Sequence, residues 1–425
     1  MDRTNLSRSD HDHVPWQSGP QTRGTLNIIW SCLAVIIMST YTVLHLNVPS
    51  VTRRKLKWMI LAFLFPEFIF AYAVIELKMA LDDYIKMGKH EKEYFSMGWF
   101  DAAALEPPPE TTNNYHPASC TTTKLPVWSL THCYYVNMGG IVTKRHDGEN
   151  VCVQGYEIAS PRLQFTQEAM SKIELSKGDI QDRSKADVFV RILWIWQLGR
   201  LLIELCVRAA KALPITQLEI IATSFAVLTF TTVLIQTHKP QNICQPYRVE
   251  LSNVPENTPE LKVDSLTWRF IASPASFRRS FNSYHRITND NFRPGESMEH
   301  LFSIMLITST TLFGAIHIAA WAFQFPTLVE AWIWRSCSLA GICIPLFVVL
   351  VTYLLHLRMV NAKGHVKACQ TARENAIVHR VFQFGSIVVY FSTRLLMITI
   401  AFASFRSAPR GIYQETWAGF LPAIQ

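Results

Sequence analysis

Charged residues are scarce in this chain. Lysine, arginine, aspartate and glutamate make up 17% of its 425 residues, whereas a typical soluble domain has about 25%. Apolar residues reach 49%, aromatic residues 12%, and the mean hydropathy is +0.14. This composition excludes a disordered or fibrous protein and argues against a soluble enzyme. We therefore expect an integral membrane protein.

Several motifs that carry well-known chemistry are missing. The chain has no GxxxxGK[ST] or GxGxxG segment, so nucleotide binding has no support. HExxH and GxSxG are absent, and no two of the nine cysteines have CxxC spacing. Basic residues are spread over the ends of apolar runs and form no stripe of the kind that binds nucleic acid. We expect neither a metal nor a cofactor, and no nucleic-acid partner.

Long apolar runs predict an all-α integral membrane protein with about seven transmembrane helices, since a bilayer takes about 20 helical residues to cross. Five and eight helices are the nearest alternatives. A large polar loop separates helices 2 and 3, and a second separates helices 4 and 5. The predicted spans are Leu26–Val48, Leu56–Leu77, Val188–Val207, Ile215–Gln236, Leu301–Phe323, Ser336–Leu357 and Phe382–Phe405.

The predicted organisation alternates membrane hairpins with polar segments. In chain order it comprises a polar tail (1–25), a transmembrane hairpin (26–82), an extramembrane loop (83–187) with an interfacial or re-entrant segment (126–142), a second hairpin (188–237), a second loop (238–300), three further helices (301–405) and a tail (406–425).

Membrane orientation is not settled by the basic residues. One cluster (Arg53, Arg54, Lys55 and Lys57) lies in the first hairpin, and another (Arg358, Lys363, Lys367, Arg373 and Arg380) precedes the last span. Seven spans place the two ends of the chain, and also these two clusters, on opposite sides of the membrane. The positive-inside rule then points both ways. Lysine and arginine at the ends of the large loops favour a cytosolic N-terminus.

The most informative polar residue is Glu67, in the middle of the second predicted span beside Pro66. A charged carboxylate there costs about 3 kcal/mol on insertion scales, so it must be protonated, paired or hydrated. Proline frees a backbone carbonyl and predicts a kink at this point. Arg394, midway along the last span, is the natural partner. Glu67 is either an acid–base group or one half of a structural ion pair.

Other polar residues in or beside the spans are candidate binding groups. Arg200 and Glu204, spaced i,i+4 on the helix face of Gln197, are expected to neutralise each other. Glu219 follows a proline at a helix start, where it suits the helix dipole. Further candidates are His317 and Trp321 in the fifth span and His45 and Asn47 at the end of the first.

The segment from Trp128 to Ile141 is too apolar for a free loop and too short and polar to span a bilayer. It predicts a re-entrant or interfacial segment over the mouth of a cavity. Gly139 and Gly140 allow a sharp turn. His132 and Asn137 are candidate site residues, and an anchoring role at the membrane interface is the alternative.

A set of motifs spread over nearly the whole chain resembles a large fungal family of multi-pass membrane proteins, most of which have no assigned activity. The resemblance implies a membrane fold and brings no established reaction. It rests on Arg23-Gly24-Thr25, Trp30-Ser31-Cys32, His45-Leu46-Asn47-Val48-Pro49, Pro66-Glu67, Trp128–Gly140, Ser176-Lys177-Gly178-Asp179, Leu213-Pro214-Ile215-Thr216 with Leu218-Glu219, Lys239-Pro240, Ile316-His317 through Trp321, and Arg406, Pro409, Tyr413 and Trp417.

Three functional hypotheses follow from these residues. The first is a cofactor-free membrane enzyme of cyclase or isomerase type, acting on a hydrophobic intermediate of fungal specialised metabolism. Its catalytic candidates are Glu67, His317, Arg394 and His132, and its substrate-binding candidates are His45, Asn47, Asn137, Arg200, Glu219 and Trp321. The alternative is a proton- or ion-coupled transporter of small molecules, followed by a seven-span sensor. An endomembrane, foremost the endoplasmic reticulum, is the expected location.

Overall fold

The computed structural model describes residues 13–17, 23–48, 52–103, 128–144, 150–153, 155–158, 173, 175–184, 188–250, 296–360 and 365–417. These residues are mostly helical. Five helices are long and apolar enough to cross a membrane, or six if a bent pair counts as one span. The expected class, a helical protein with several membrane-compatible helices, is therefore observed in its coarse form.

The described helices are α1 (Thr25–Thr42), α2 (Thr52–Leu64), α3 (Pro66–Ala103), α4 (Leu130–Asn137), α5 (Gly155–Ile158), α6 (Lys177–Arg183), α7 (Val188–Ala210), α8 (Gln217–Ile235), α9 (Glu296–Ile318), α10 (Leu328–Val360) and α11 (His365–Ala403).

Short strands also form, so the fold is not purely helical as predicted. Strand β2 (Ile141–Lys144) lies between antiparallel β3 (Asn150–Cys152) and parallel β4 (Tyr247–Arg248). Strand β1 (His13–Val14) pairs antiparallel with β5 (Ala408–Pro409).

The long helices form one bundle in which neighbours touch along their lengths. Helix α1 packs between α7 and α8; α8 also packs against α3 and α9; α9 continues the row to α10 and α11. Helices α9 and α10 approach each other closely at Gly314 and Gly341. A Cβ added at Gly314 would lie 2.7 Å from the Ile342 side chain. Small residues permit this backbone approach, as is common between membrane helices.

The two ends of the bundle differ in what covers them. We call the end with residues 13–17, 23–25 and 404–417 the terminal face, and the end with residues 43–48, 52–58, α4 and 235–250 the loop face. The β1–β5 pair and a 3.3 Å bond from Arg23 Nη1 to the Ile412 carbonyl hold both terminal segments together. The prediction that they lie on opposite sides is therefore wrong.

The second predicted span is not one helix. Helix α2 ends at Leu64, α3 begins at Pro66, and the chain turns by 113° between them. Pro66 lacks the N–H that would continue the hydrogen-bond ladder, and its fixed φ suits the first position of a new helix. The kink predicted at Pro66 is confirmed, and it is sharp enough to break the span.

The third predicted span corresponds to α7. This helix is not among the five apolar enough to cross a membrane, because it has four charged residues: Arg191, Arg200, Glu204 and Arg208. It nevertheless runs antiparallel to α1 over that helix's whole length. Trp194 Nε1 donates to Ser39 Oγ at 3.0 Å near the loop face. Near the terminal face, Glu204 lies 3.9 Å from Arg23.

The predicted interfacial segment is 126–142, and the structure describes residues 128–142 of it. They form α4, the following turn and the start of β2. Residues 150–153, 155–158, 173 and 175–184 belong to the predicted extramembrane loop, and we call them the extramembrane layer. The apolar side chains of the interfacial segment join a cluster separate from the bundle core, with Ile158 and Ile180 of this layer. The Met138 carbonyl accepts a 2.9 Å bond from Val48 N, which fixes the segment to the loop face. The segment thus lies over the end of the bundle, beneath the extramembrane layer.

Candidate functional site

Glu67 lies in the first turn of α3, 2% exposed, with its side chain inside the bundle. Its Oε1 forms an ion pair with Arg394 Nη2 and accepts a 2.8 Å bond from Tyr390 Oη. Its backbone carbonyl accepts a bond from Ser309 of α9 at 3.4 Å. We call Glu67, Tyr390 and Arg394 the central network. The pairing expected from the sequence is present, and a helix N-terminus further favours the negative charge.

Arg394 is held on its other side by aromatic rings. Its Cζ lies 3.6 Å from the Phe313 ring centroid and 5.8 Å from that of Phe225. Such cation–π contacts gain strength where water is excluded. The Nε of Arg394 is buried without a hydrogen-bond partner among the described residues. The guanidinium therefore has a donor left over after binding Glu67.

His317 lies one helical turn beyond Phe313, close to this network. Its Nδ1 is 2.7 Å from the Phe313 carbonyl, and its own carbonyl accepts from Trp334 Nε1 at 3.2 Å. Its ring stacks at 4.6 Å from the Phe313 ring. The structure thus places three of the four predicted catalytic residues in one region: Glu67, Arg394 and His317.

Two small cavities flank the central network. The larger, about 20 Å³, is lined by polar and aromatic side chains from α9, α10 and α11, including Arg394, His317, Ser338 and Thr393. The other, about 10 Å³, lies against Pro66, Phe225 and Thr229. A volume of 20 Å³ accommodates about one water molecule. Neither cavity holds an organic substrate in this conformation.

A second buried ion cluster lies at the terminal face. Glu219 pairs with Arg23 and accepts two bonds from Thr216, at 2.8 Å from its N and 2.9 Å from its Oγ1. Glu204 pairs with Arg208 at 3.3 Å and accepts from Thr416. We call Arg23, Glu204, Arg208 and Glu219 the terminal network. The predicted Arg200–Glu204 pair is wrong, because Arg208 and Arg23 hold this carboxylate instead.

Arg208, 0% exposed, connects the terminal network to the C-terminal segment. It donates to the carbonyls of Gly411 (2.6 Å), Ile412 (3.0 Å), Gln414 (3.1 Å) and Pro214 (3.0 Å). Only a planar guanidinium presents enough donors for such a fan. Arg208 therefore locks the terminal face closed.

A third polar cluster closes the loop face. Lys239 pairs with Glu76 at 2.5 Å, and Arg191 donates to His45 Nε2 at 3.1 Å and to Gln241 at 2.8 Å. We call these five residues the loop network. Burial, together with the nearby charges of Lys239 and Arg191, lowers the pKa of His45 from 6.5 to about 3. His45 is thus kept neutral and accepts a bond from Arg191.

The remaining predicted site residues lie away from the central network. His132 closes the first turn of α4, with Nδ1 accepting from Ser129 N at 3.1 Å and Nε2 at 2.9 Å from the Leu175 carbonyl. Burial lowers the pKa of His132. Its contacts connect α4 to the extramembrane layer, so its predicted role beside Glu67 finds no geometric support.

Asn137 joins α3 to the extramembrane layer. It donates to Asp83 at 2.8 Å and accepts from Gly155 N at 3.0 Å. A Cβ at position 155 would lie 2.5 Å from Asp83 Oδ2, so only glycine fits. Asn47 is buried at the loop face. Trp321, 38% exposed, carries Arg335 over its ring at the terminal end of α9.

Sequence reasoning missed several residues that the structure brings into these clusters. Tyr390 lies one helical turn before Arg394, and that i,i+4 spacing was a usable signal. Arg23, Glu76 and Lys239 meet their partners across large sequence separations, for which no local signal exists. Among the described residues, no group of three metal-ligating side chains is arranged to hold an ion.

The apolar long helices, with buried ion clusters between them, define a helical protein compatible with several membrane crossings. The model of a family of unknown function (DUF8562) matches residues 2–259 and 297–424. The chain therefore belongs to this family. No curated protein and no solved structure matches the chain.

Proposed function

We propose that the protein is a proton-coupled membrane carrier of small molecules, with Glu67 as the coupling carboxylate. The observation that carries the proposal is the position of Glu67 at a sharp helix break in the middle of the bundle. Broken helices with an ionisable group at the break are typical of the coupling sites of secondary transporters. An intramembrane carboxylate is also expensive to keep unless it serves a function.

The same geometry weighs against the alternative of an acid–base enzyme. A general acid must contact its substrate, whereas the described carboxylate of Glu67 is bonded to Arg394 and Tyr390. The cavity of about 20 Å³ is also far smaller than a substrate pocket, which measures roughly 300 Å³ or more. A carrier with its pathway closed at both ends needs no preformed pocket.

The contacts support six crossings and one re-entrant hairpin. Helices α1, α7, α8, α9, α10 and α11 each run from one face to the other. Helices α2 and α3 do not cross. Helix α2 enters from the loop face, the chain turns at Phe65, and α3 returns to that face, where Glu76 meets Lys239. An even number of crossings agrees with terminal segments that pair on one face.

This topology also removes the conflict between the two basic clusters. The start of α2, the end of α10 and the start of α11 all lie towards the loop face. Arg53, Arg54, Lys55 and Lys57 are therefore on the same side as Arg358, Lys367, Arg373 and Arg380. The positive-inside rule then makes the loop face cytosolic and the terminal face lumenal or extracellular. This orientation replaces the cytosolic N-terminus expected from the sequence.

Reporters fused to the two ends test the crossing number. We expect a glycosylation reporter at either end to be modified, and one inserted between α10 and α11 to stay unmodified. Ends that report opposite sides would restore an odd number of spans and make the α2–α3 pair a crossing.

Metabolite distribution tests the function. Cells that produce the wild type, Glu67→Gln or Leu346→Ala, a control at an exposed position on α10, are compared with cells lacking the protein. A carrier changes where compounds accumulate, inside or outside membrane vesicles, without changing which compounds exist. Glu67→Gln should then match the cells lacking the protein. Disappearance of a product with build-up of its precursor would instead establish the enzyme.

The expected endomembrane location, foremost the endoplasmic reticulum, stays a prediction, which co-localisation of a tagged full-length chain with organelle markers tests.

A further inference from the structure

We propose that the carried substrate is a small organic anion, which takes the place of Glu67 on Arg394 when Glu67 is protonated. This inference rests on the proposed carrier function and names its substrate class. It combines three observations: the ion pair between Glu67 and Arg394, the unused Nε donor of Arg394, and the cavity on the far side of its guanidinium.

Charge balance in the bundle provides the first argument. With Glu67 charged, the carboxylate and the guanidinium cancel, and the site is neutral. Protonating Glu67 alone leaves Arg394 as a buried cation without a counter-charge, which is unfavourable. An anion entering with the proton restores neutrality. The low-dielectric site therefore couples one proton to one monovalent anion, and the transported pair carries no net charge.

The shape of the site provides the second argument. The Arg394 Cζ lies 3.6 Å from the Phe313 ring centroid, and its Nη2 donates to Glu67 and Tyr390. The cavity is lined by Arg394 together with Ser338 and Thr393, whose hydroxyls donate to backbone carbonyls, so Arg394 supplies the charge that attracts an anion there. A carboxylate binds such a planar fork through two parallel bonds. An organic cation would meet the Arg394 charge here, so this wall of the cavity disfavours it.

The third argument concerns which group takes up the proton. From the elements around the pair, the ionisable side chains are Tyr390 of α11, His317 of α9 and Cys337 of α10. Helix α8 contributes Phe225 and Thr229, which do not titrate. Tyr390 already donates to Glu67, and His317 is bonded to the Phe313 carbonyl. Protonation of Glu67 breaks its ion pair with Arg394, so proton binding at Glu67 is coupled to anion binding at Arg394.

Anion binding to the purified full-length protein in neutral detergent tests the proposal. The probes are acetate and benzoate, with benzamide as the uncharged counterpart of benzoate, and the readout is the thermal shift at increasing probe concentration. Both acids stay ionised above about pH 6. We expect the apparent Kd of benzoate to fall about tenfold per pH unit from pH 8 to pH 6, because one proton binds with each anion. Benzamide should give no shift.

Variants separate this proposal from a general anion effect. Glu67→Gln imitates the protonated carboxyl, so it should bind benzoate tightly with no dependence on pH. Arg394→Gln should lose binding, and the double variant Glu67→Gln/Arg394→Gln, in which no charge is left unpaired, covers the case that the single variant fails to fold. Arg406→Gln, at the exposed Arg406–Glu330 pair, should bind as the wild type does.

Three results would overturn the inference: equal shifts from benzoate and benzamide, a Kd that does not change with pH in the wild type, or benzoate binding that persists without Arg394. Each of these would remove the anion class and leave the carrier function standing. The metabolite distribution of Glu67→Gln cells decides that function separately.

Discussion

The central network and the terminal network both bury arginine–glutamate pairs between helices, yet they are built differently. At the terminal face, Arg208 donates to Glu204 and to backbone carbonyls of the C-terminal segment. Those carbonyls are fixed by the local backbone, so changing these bonds requires the segment to rearrange. At the centre, Arg394 donates to the side chains of Glu67 and Tyr390, its Nε has no hydrogen-bond partner among the described residues, and it borders a cavity.

We therefore call the terminal network a lock, because its bonds hold the fold in place, and the central network a switch, because its cation can change partners. A guanidinium saturated by carbonyls gains nothing from rearrangement, and removing it takes a donor from several buried carbonyls and the closest cation from a carboxylate. A guanidinium held by one carboxylate, one tyrosine and aromatic rings can exchange partners at small cost. Burial alone therefore does not identify a functional charge, whereas the nature of its partners does.

The largest expected effect is at Arg208. Arg208→Met nearly keeps the side-chain volume but removes the closest cation of Glu204 and the guanidinium donor of four carbonyls. We expect a loss of about 3–5 kcal/mol, the usual cost of removing one partner of a buried pair. The measurement is the yield of monodisperse detergent-solubilised protein and its melting temperature. Arg208→Lys, which keeps the charge without the fan, should fall between wild type and Arg208→Met. Wild-type stability of Arg208→Met would show that the terminal network is not a lock.

Glu67→Gln should cost less stability than Arg208→Met and more function. The amide oxygen still accepts from Arg394 and Tyr390, so we expect a loss of about 1–3 kcal/mol. Melting curves of the two variants in one detergent give the comparison directly. Coupled accumulation of substrate should disappear in Glu67→Gln cells. If this variant unfolds as readily as Arg208→Met, the two networks do not differ in kind.

The loop network should make the stability of the protein depend on pH through His45. The pKa of His45 is about 3 in the folded protein and about 6.5 when unfolded. The unfolded chain therefore binds the extra proton, and the stabilising contribution, full above about pH 6.5, is lost as the pH falls. We expect a loss of about 1–2 kcal/mol between pH 7 and pH 5.

Melting temperatures measured across that pH range test the role of His45, with His45→Gln as the matched variant. The glutamine can still accept from Arg191 but does not titrate. Its melting temperature should be flatter with pH than that of the wild type. Identical slopes would assign the pH dependence to another group.

The smallest effect is expected at the Arg406–Glu330 pair, whose nitrogen and oxygen lie 2.8 Å apart with Arg406 half exposed. Arg406→Gln should change the free energy of unfolding by less than about 1 kcal/mol, since exposed ion pairs contribute little. The same melting assay provides the measurement. A loss comparable to that of Arg208→Met would mean that the whole terminal face, and not the Arg208 fan, provides the lock.

Local sequence patterns correctly predicted a substantial part of this protein. Apolar runs located α1, α8, α9, α10 and α11, because hydropathy over about 20 residues is a local property. Proline beside glutamate predicted the break at Pro66, and two ionisable residues deep in apolar runs predicted the Glu67–Arg394 pair. The cost of burying a charge made that inference possible without knowledge of the fold.

The same patterns failed where charge interrupted an apolar helix or where partners came from distant segments. Helix α7 has four charged residues, and only its position along α1 shows that it runs the full height of the bundle. His132 looked like a site residue, yet its partners are Ser129 at the start of α4 and the Leu175 carbonyl of the extramembrane layer. Polarity in an apolar segment reveals that a partner exists and not which partner it is.

The sequence by itself determined that the chain is a helical protein with membrane-compatible helices, a broken helix at Pro66 and buried charge. The tertiary structure decided that the terminal segments share a face and that the chain turns back between α2 and α3. It also decided that Arg208 is a lock, whereas Arg394 keeps an Nε donor without a partner among the described residues. The physical reason is the distance along the sequence over which each interaction acts. Hydropathy and proline act within one helix, whereas an arginine finds its carboxylate or carbonyls among residues up to several hundred positions away.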